Sequence, residues 1–206
     1  MEKQSTKQGS YNNPVNILEK QLAKFTGAPF VVATDCCTHA IELCLRHDKV
    51  KKLTSSCYTY LSVPMTFHKC HINYDFTDER WIGEYNFGHT RIWDSARLLH
   101  PNMHRRGQLQ CLSFGNGKPL DNKRGGAILC NNINEYNSLK AMSYDGRNFK
   151  SNNWEDQKNF NIGYHYNMPY EHATQILGLL KIYKNKDSHL PKIVEYPDCR
   201  KIKILG

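Results

Sequence analysis

The sequence predicts an α/β fold around a mostly parallel central sheet. Three observations carry this. Over residues 30–45 a short apolar strand, a polar turn and an amphipathic helix follow one another; residues 91–94 (RIWD) read as a strand ending in a carboxylate; and two short apolar runs in 109–129 flank a Gly- and Asn-rich turn that presents Lys118. At 206 residues the chain has the length of one domain with a short appendage. The division expected is a polar arm over 1–13, one α/β domain over 14–184 and a basic tail over 185–206.

Asn13 followed by Pro14 supplies an N-cap and a first-turn proline. Val15, Leu18, Leu22 and Phe25 then recur at helical spacing until Gly27 closes the helix. Residues 30–33 (FVVA) form a buried strand, and Ala40, Ile41, Cys44 and Leu45 mark the next helix. The turn between them places unpaired backbone N–H groups and a helix dipole together, which favours an anion. Thr38 either adds a hydroxyl to that site or only caps the helix. Residues 55–60 (SSCYTY) make a second polar turn, and 61–70 is helical despite Pro64. Residues 71–75 (HINYD) are a short strand. Asp94 falls at the carboxyl end of its own strand, where α/β proteins line a ligand crevice, or else caps the helix that follows. Residues 134–142 are helical, and 144–161 is a polar loop with Trp154 as its buried anchor. Ala173, Ile176, Leu177, Leu180 and Tyr183 share one face of a last helix, and the tail carries two β-prone pieces, KIVEY and KIKIL.

Lys118 has two readings. It is a solvated lysine on a turn, or an amine held at a cleft to form a Schiff base with a carbonyl cofactor. Composition does not choose between them. The net charge is +9, and residues 181–206 contribute seven Lys or Arg against three Asp or Glu, which favours anionic partners: nucleic acid, acidic lipid or a phosphorylated small molecule. No apolar run is long enough to cross a bilayer, and the N-terminus has no signal-peptide core, so a cytoplasmic protein with no membrane partner is expected. Eight cysteines without a secretion signal, two of them vicinal (Cys36 and Cys37), read as reduced thiols. His68, Cys70 and His71 fit no standard zinc spacing, and no metal is expected.

Taken in order, the segments PVNILEKQLAKFTGAPFVVATDCCTHAIELCL, SCYTYLSVPMTF, RIWDSARLL, QLQCLSFGNGKPLDNKRGGAILCNN and IGYHYNMPYEHATQILGLLKI resemble the DegT-like nucleotide-sugar aminotransferases. These are pyridoxal 5'-phosphate (PLP) enzymes of the aspartate aminotransferase fold. The resemblance runs over residues 14–183 and implies a three-layer fold like the large domain of fold-type I PLP enzymes, with the small C-terminal domain largely missing. It implies that Lys118 is the Schiff-base lysine and that Asp94 pairs with the pyridine nitrogen. It places Tyr60 on the cofactor ring, Arg97 near the ring hydroxyl, Cys36, Cys37, Thr38 and Ser113 at the phosphate, and His165 at the phosphate of a neighbouring subunit, hence a homodimer with shared sites. This sequence departs from the family at Cys37, which replaces a glycine, at Asn167, which replaces an arginine, and between Asp75 and Arg91, where it is too short for the family's strand and helix.

The function so implied is transfer of an amino group, by resemblance from glutamate, to a keto sugar that is nucleotide-linked. Two alternatives stand beside it: a PLP protein acting on a small amino acid or with little turnover, and a basic nucleic-acid-binding module. No RNA- or DNA-binding signature supports the last.

Overall fold

Helix α1 (Pro14–Thr26) begins where the Asn13 side chain accepts the Val15 N–H at 2.8 Å. It stops at Gly27, whose φ of 75° is left-handed and whose N–H closes on the Ala23 carbonyl at 2.9 Å. The structure, a computed structural model, describes residues 13–148, 153–186, 188–191 and 195–203. The arm expected over 1–12 and parts of both β-prone tail pieces lie outside the described residues.

After α1 come β1 (Phe30–Thr34), α2 (Cys37–His47), β2 (Lys52–Ser56), α3 (Ser62–Lys69), β3 (Asn73–Thr77), β4 (Tyr85–Asn86), β5 (Ile92–Asp94), β6 (Leu109–Ser113) and β7 (Gly126–Cys130). Helices α4 (Ile133–Ser143) and α5 (Tyr170–Tyr183) follow, then a 3-10 turn at Cys199–Lys201. The short segment between Asp75 and Arg91 thus keeps a two-residue strand, β4, and no helix.

The sheet corrects the expectation of mostly parallel strands. Its order is β1-β7-β6-β5-β4; only β5 and β6 run parallel, while β1 with β7, β6 with β7, and β4 with β5 are antiparallel. The cause is the connection from β6 to β7, a loop with no crossover helix, which returns the chain in the opposite direction. Strands β2 and β3 pair in parallel as a separate ribbon, joined to the larger sheet through a bridge between Thr54 and Gly88.

Alternate strand residues build two cores. Val32, Cys111, Ile128 and Cys130 face α2, α3 and α4, while Val31, Ala33, Leu112, Ala127 and Leu129 face α1 and α5. This makes three layers. A buried pair fastens α1 to α4: Lys140 Nζ donates to Glu19 Oε1 at 2.6 Å, and the same carboxylate oxygen accepts the Ala33 N–H of β1 at 2.8 Å. Trp154 is 55% exposed and is therefore not the buried anchor expected of it. Tyr164 and Tyr166, stacked at 5.2 Å, pack on the α2 side of the core instead. All eight cysteines are free thiols, and no helix among the described residues is long and apolar enough to cross a membrane.

Although the sheet is mixed, β1, β5 and β6 point the same way, because each of the first and third is antiparallel to β7 and the last two are parallel. Their carboxyl ends share one edge. That edge carries the N-terminus of α2, the Asp94 carboxylate and the loop that bears Lys118.

Candidate active site

Strand β5 ends on Asp94, which is 5% exposed, and the chain turns at once: Asp94 Oδ1 accepts the Ala96 N–H at 3.0 Å. Burial raises the Asp94 pKa; the Lys118 ammonium, the Ala96 N–H and the Tyr85 hydroxyl oppose burial without cancelling it. A buried carboxylate in this state is well placed to accept a hydrogen bond or proton from a cationic nitrogen.

The Lys118 loop leaves β6 after Ser113 and rejoins β7 at Gly126. Its base is tied by Phe114 N–H to the Gly125 carbonyl and Asn122 N–H to the Phe114 carbonyl, both at 2.9 Å. Gly117, with φ of 69°, lets the turn pass through the left-handed region, and its N–H reaches the Asp121 carboxylate at 2.9 Å. Arg97 braces this turn from the β5 side by donating from Nη1 to the Gly117 carbonyl at 3.0 Å. Lys118 is half-buried, and its amine donates to the Tyr196 hydroxyl at 3.2 Å.

Cys36 is the N-cap residue of α2 and makes no side-chain cap bond, so the first amides of that helix stay available. Cys37 turns inward, its thiol 3.7 Å from the Cys111 carbonyl; burial, then the nearby Asp94 charge, pushes that thiol well above its ordinary value. Gly126 allows the close approach behind this turn. A Cβ there would lie 2.5 Å from both Cys36 C and Cys37 N. The Thr38 hydroxyl bonds the Ser62 hydroxyl at 2.7 Å, so the N-termini of α2 and α3 meet through two side chains. Sequence reasoning missed Ser62; the polar turn before an apolar helical run was the available signal.

Asp35, Cys36 and His39 place possible ligand atoms within 4.8 Å of one another, yet Arg124 Nη2 donates to Asp35 at 3.0 Å and supplies the cation that cluster holds. His39 bonds Asp35 at 2.6 Å and stacks on Tyr166 at 3.6 Å. Burial alone would lower its pKa, but the hydrogen bonds to Asp35 and Cys36 outweigh burial and raise it to about 9. The stability this imidazolium gives is whole below its ordinary value of 6.5 and is lost as pH rises through about 9. Urea midpoints should therefore fall more steeply between pH 7.5 and 9.5 in the wild type than in His39→Gln; equal slopes would contradict this pairing.

The structure thus gathers Lys118, Asp94, Arg97 and Cys37 at one edge, with Cys36 and Thr38 at the adjoining helix end. Ser113 stands one strand away, paired with Gly126, and its hydroxyl accepts the Gly115 N–H at 3.3 Å. Tyr60 is 63% exposed in the loop before α3. His165 is exposed, its ring 3.2 Å from Asp145. The Lys118 amine is hydrogen-bonded to neither. Its partner is Tyr196, which no motif singled out: the Tyr196 hydroxyl also accepts from Arg97 Nε at 3.1 Å, and its ring stacks on Trp81 at 5.7 Å.

No protein-family model matches the sequence, and no curated protein matches it. Solved structures do. A sugar aminotransferase, CalS13, from Micromonospora echinospora superposes with a TM-score of 0.69 at 12% identity, over 84% of this chain and 61% of its own. A DegT DnrJ EryC1 StrS aminotransferase from Brucella abortus gives 0.68 at 15% identity, over 85% and 60%. This chain has their fold. A Streptococcus pneumoniae protein described as a sugar aminotransferase, solved in its PLP form, gives 0.63 at 16% identity, over 82% and 59%. The chain therefore spans about 60% of the length of these structures.

Proposed function

We propose that this chain binds PLP at Lys118 and transfers an amino group from an amino acid to a keto sugar. The observation that carries the reading is the placement of Lys118, Asp94 and the uncapped N-terminus of α2 along one sheet edge of an aminotransferase fold. The residues fit the cofactor chemically: a primary amine for an aldehyde, a buried carboxylate for a pyridinium, and free helix amides with the Thr38 hydroxyl for a phosphate. Bound there, the cofactor supplies a carbonyl carbon and an electron-accepting ring.

The chain's own residues do the rest. Lys118 would hold the cofactor and, as a free amine, would take the proton from the substrate Cα as general base. Asp94 keeps a proton on the ring nitrogen, a task suited to a carboxylate whose burial leaves it in need of a cation. Arg97 steadies the Lys118 turn through the Gly117 carbonyl and presents a guanidinium to the ring hydroxyl. Cys36, Cys37, Thr38 and Ser113 are assigned to the phosphate, Tyr60 to the ring face. Exposed His165 is assigned to a partner subunit's site in a homodimer. Net positive charge favours a nucleotide-linked acceptor, and glutamate is the proposed donor.

A PLP titration of wild type and Lys118→Ala tests this. The wild type should develop a visible absorption band that the variant lacks, and L-glutamate should bleach it with release of 2-oxoglutarate. A band of equal strength in Lys118→Ala would remove the site assignment. A band that no amino donor changes would favour the second reading, a PLP-binding protein with little turnover.

A further inference from the structure

The tail near the site is fixed by specific bonds. Asp198 bridges to Tyr58, Cys199 N–H donates to the Cys57 carbonyl at 2.9 Å, and the buried Cys199 thiol reaches the Thr59 carbonyl at 3.3 Å. Asp198 caps the 3-10 turn through Arg200 N–H at 2.9 Å, and Arg200 Nη2 donates to Asp78 at 2.7 Å. This clasp lies two residues beyond Tyr196 and swings its side chain onto Trp81, Arg97 and Lys118. The resulting contact has a particular chemistry: one phenolic oxygen accepts from a guanidinium Nε at 3.1 Å and an ammonium Nζ at 3.2 Å. The cofactor assigned above carries an oxygen of the same kind, a hydroxyl on an aromatic ring beside the carbon that Lys118 would hold.

We propose that Tyr196 is an intramolecular plug: its phenol covers Lys118 and Arg97, and a phenolic ring cofactor must displace it to bind. The identity of the displacing ligand rests on the PLP reading; the cover over Lys118 does not. A plug lowers apparent affinity by the fraction of molecules in which it is open. Two hydrogen bonds to charged donors and a ring contact are enough for about a tenfold effect, and the hydroxyl alone for about threefold.

The test uses the full chain as wild type, Tyr196→Ala and Tyr196→Phe, the last keeping the ring on Trp81. First, without cofactor, reductive methylation by formaldehyde and borohydride is followed lysine by lysine by peptide mass spectrometry, with exposed Lys52 as reference. Lys118 should react at least about fivefold faster in Tyr196→Ala and about threefold faster in Tyr196→Phe, while Lys52 is unchanged. Second, half-saturation by PLP should fall about tenfold in the alanine variant and about threefold in the phenylalanine variant. A half-saturation that rises in Tyr196→Phe would make Tyr196 part of the binding site and overturn the plug. Unchanged methylation of Lys118 would overturn it as well. If methylation rises as stated while no variant takes up PLP, the cover stands and the cofactor reading is what fails.

Discussion

Gly126→Ala is expected to destabilise the protein by about 1–3 kcal/mol and to displace the turn at the N-terminus of α2. The added methyl would lie 2.5 Å from Cys36 C and Cys37 N and 2.6 Å from the Cys36 oxygen, all backbone atoms that no rotamer can move aside. β7 must therefore part from α2 where the candidate phosphate site is built. Gly178→Ala is the control, since nothing lies within 4 Å of that Cβ and the position is inside α5, where alanine favours the helix by about 0.8–1 kcal/mol over glycine. Urea unfolding checks both. A Gly126→Ala midpoint equal to wild type would mean that the strand and the turn are not in the contact described.

Lys140→Ala should cost more, about 3–5 kcal/mol, because it strands a buried carboxylate. Glu19 and Lys140 have side chains only 6% and 8% exposed, and Lys140 is the only cation paired with Glu19 among the described residues. After its removal Glu19 keeps the Ala33 N–H at 2.8 Å and the Tyr136 hydroxyl at 3.2 Å, which stabilise the charge less than an ammonium does. The double variant Glu19→Gln/Lys140→Met should recover most of the loss, since glutamine still accepts from Ala33 and methionine fills the lysine's path without a charge. A double variant as unstable as the single one, by urea midpoint, would show that packing rather than stranded charge governs the site.

Much of this fold was legible because its punctuation is local. Asn13, Pro14 and Gly27 frame α1 through side-chain and backbone bonds to residues a few positions away, and the apolar faces of α2 and α5 follow one helical period. The placement of Lys118 on a turn between two strands was also legible. The sheet's mixed character was not, although the short link from β6 to β7 held the clue: without a crossover, two such strands can only pair antiparallel. The pairing of β1 with β7, nearly a hundred positions away, leaves no pattern in either strand. Nothing in the sequence around Glu19 marks it as buried, because its burial depends on Lys140 arriving from α4. Trp154 misled because an aromatic in a polar loop resembles an anchor, and size alone does not bury it.

Tyr196 was the least legible of all. A lone aromatic in a basic tail has no period and no motif, and its place over Lys118 follows from the clasp of 198–200 on 57–59, a contact across 140 positions between Cys199 and Thr59. The positions of the turn before α2 and of Asp94 were readable because both depend on strand ends, and β1, β5 and β6 end at one edge.

Lys118 is the proposed covalent attachment point for PLP. Incubating the full chain with stoichiometric PLP, reducing with borohydride and mapping the product by peptide mass spectrometry checks this. One modified peptide is expected, containing Lys118, and none in Lys118→Ala. Label spread over exposed lysines, with Lys118 unmodified, would rule the attachment out.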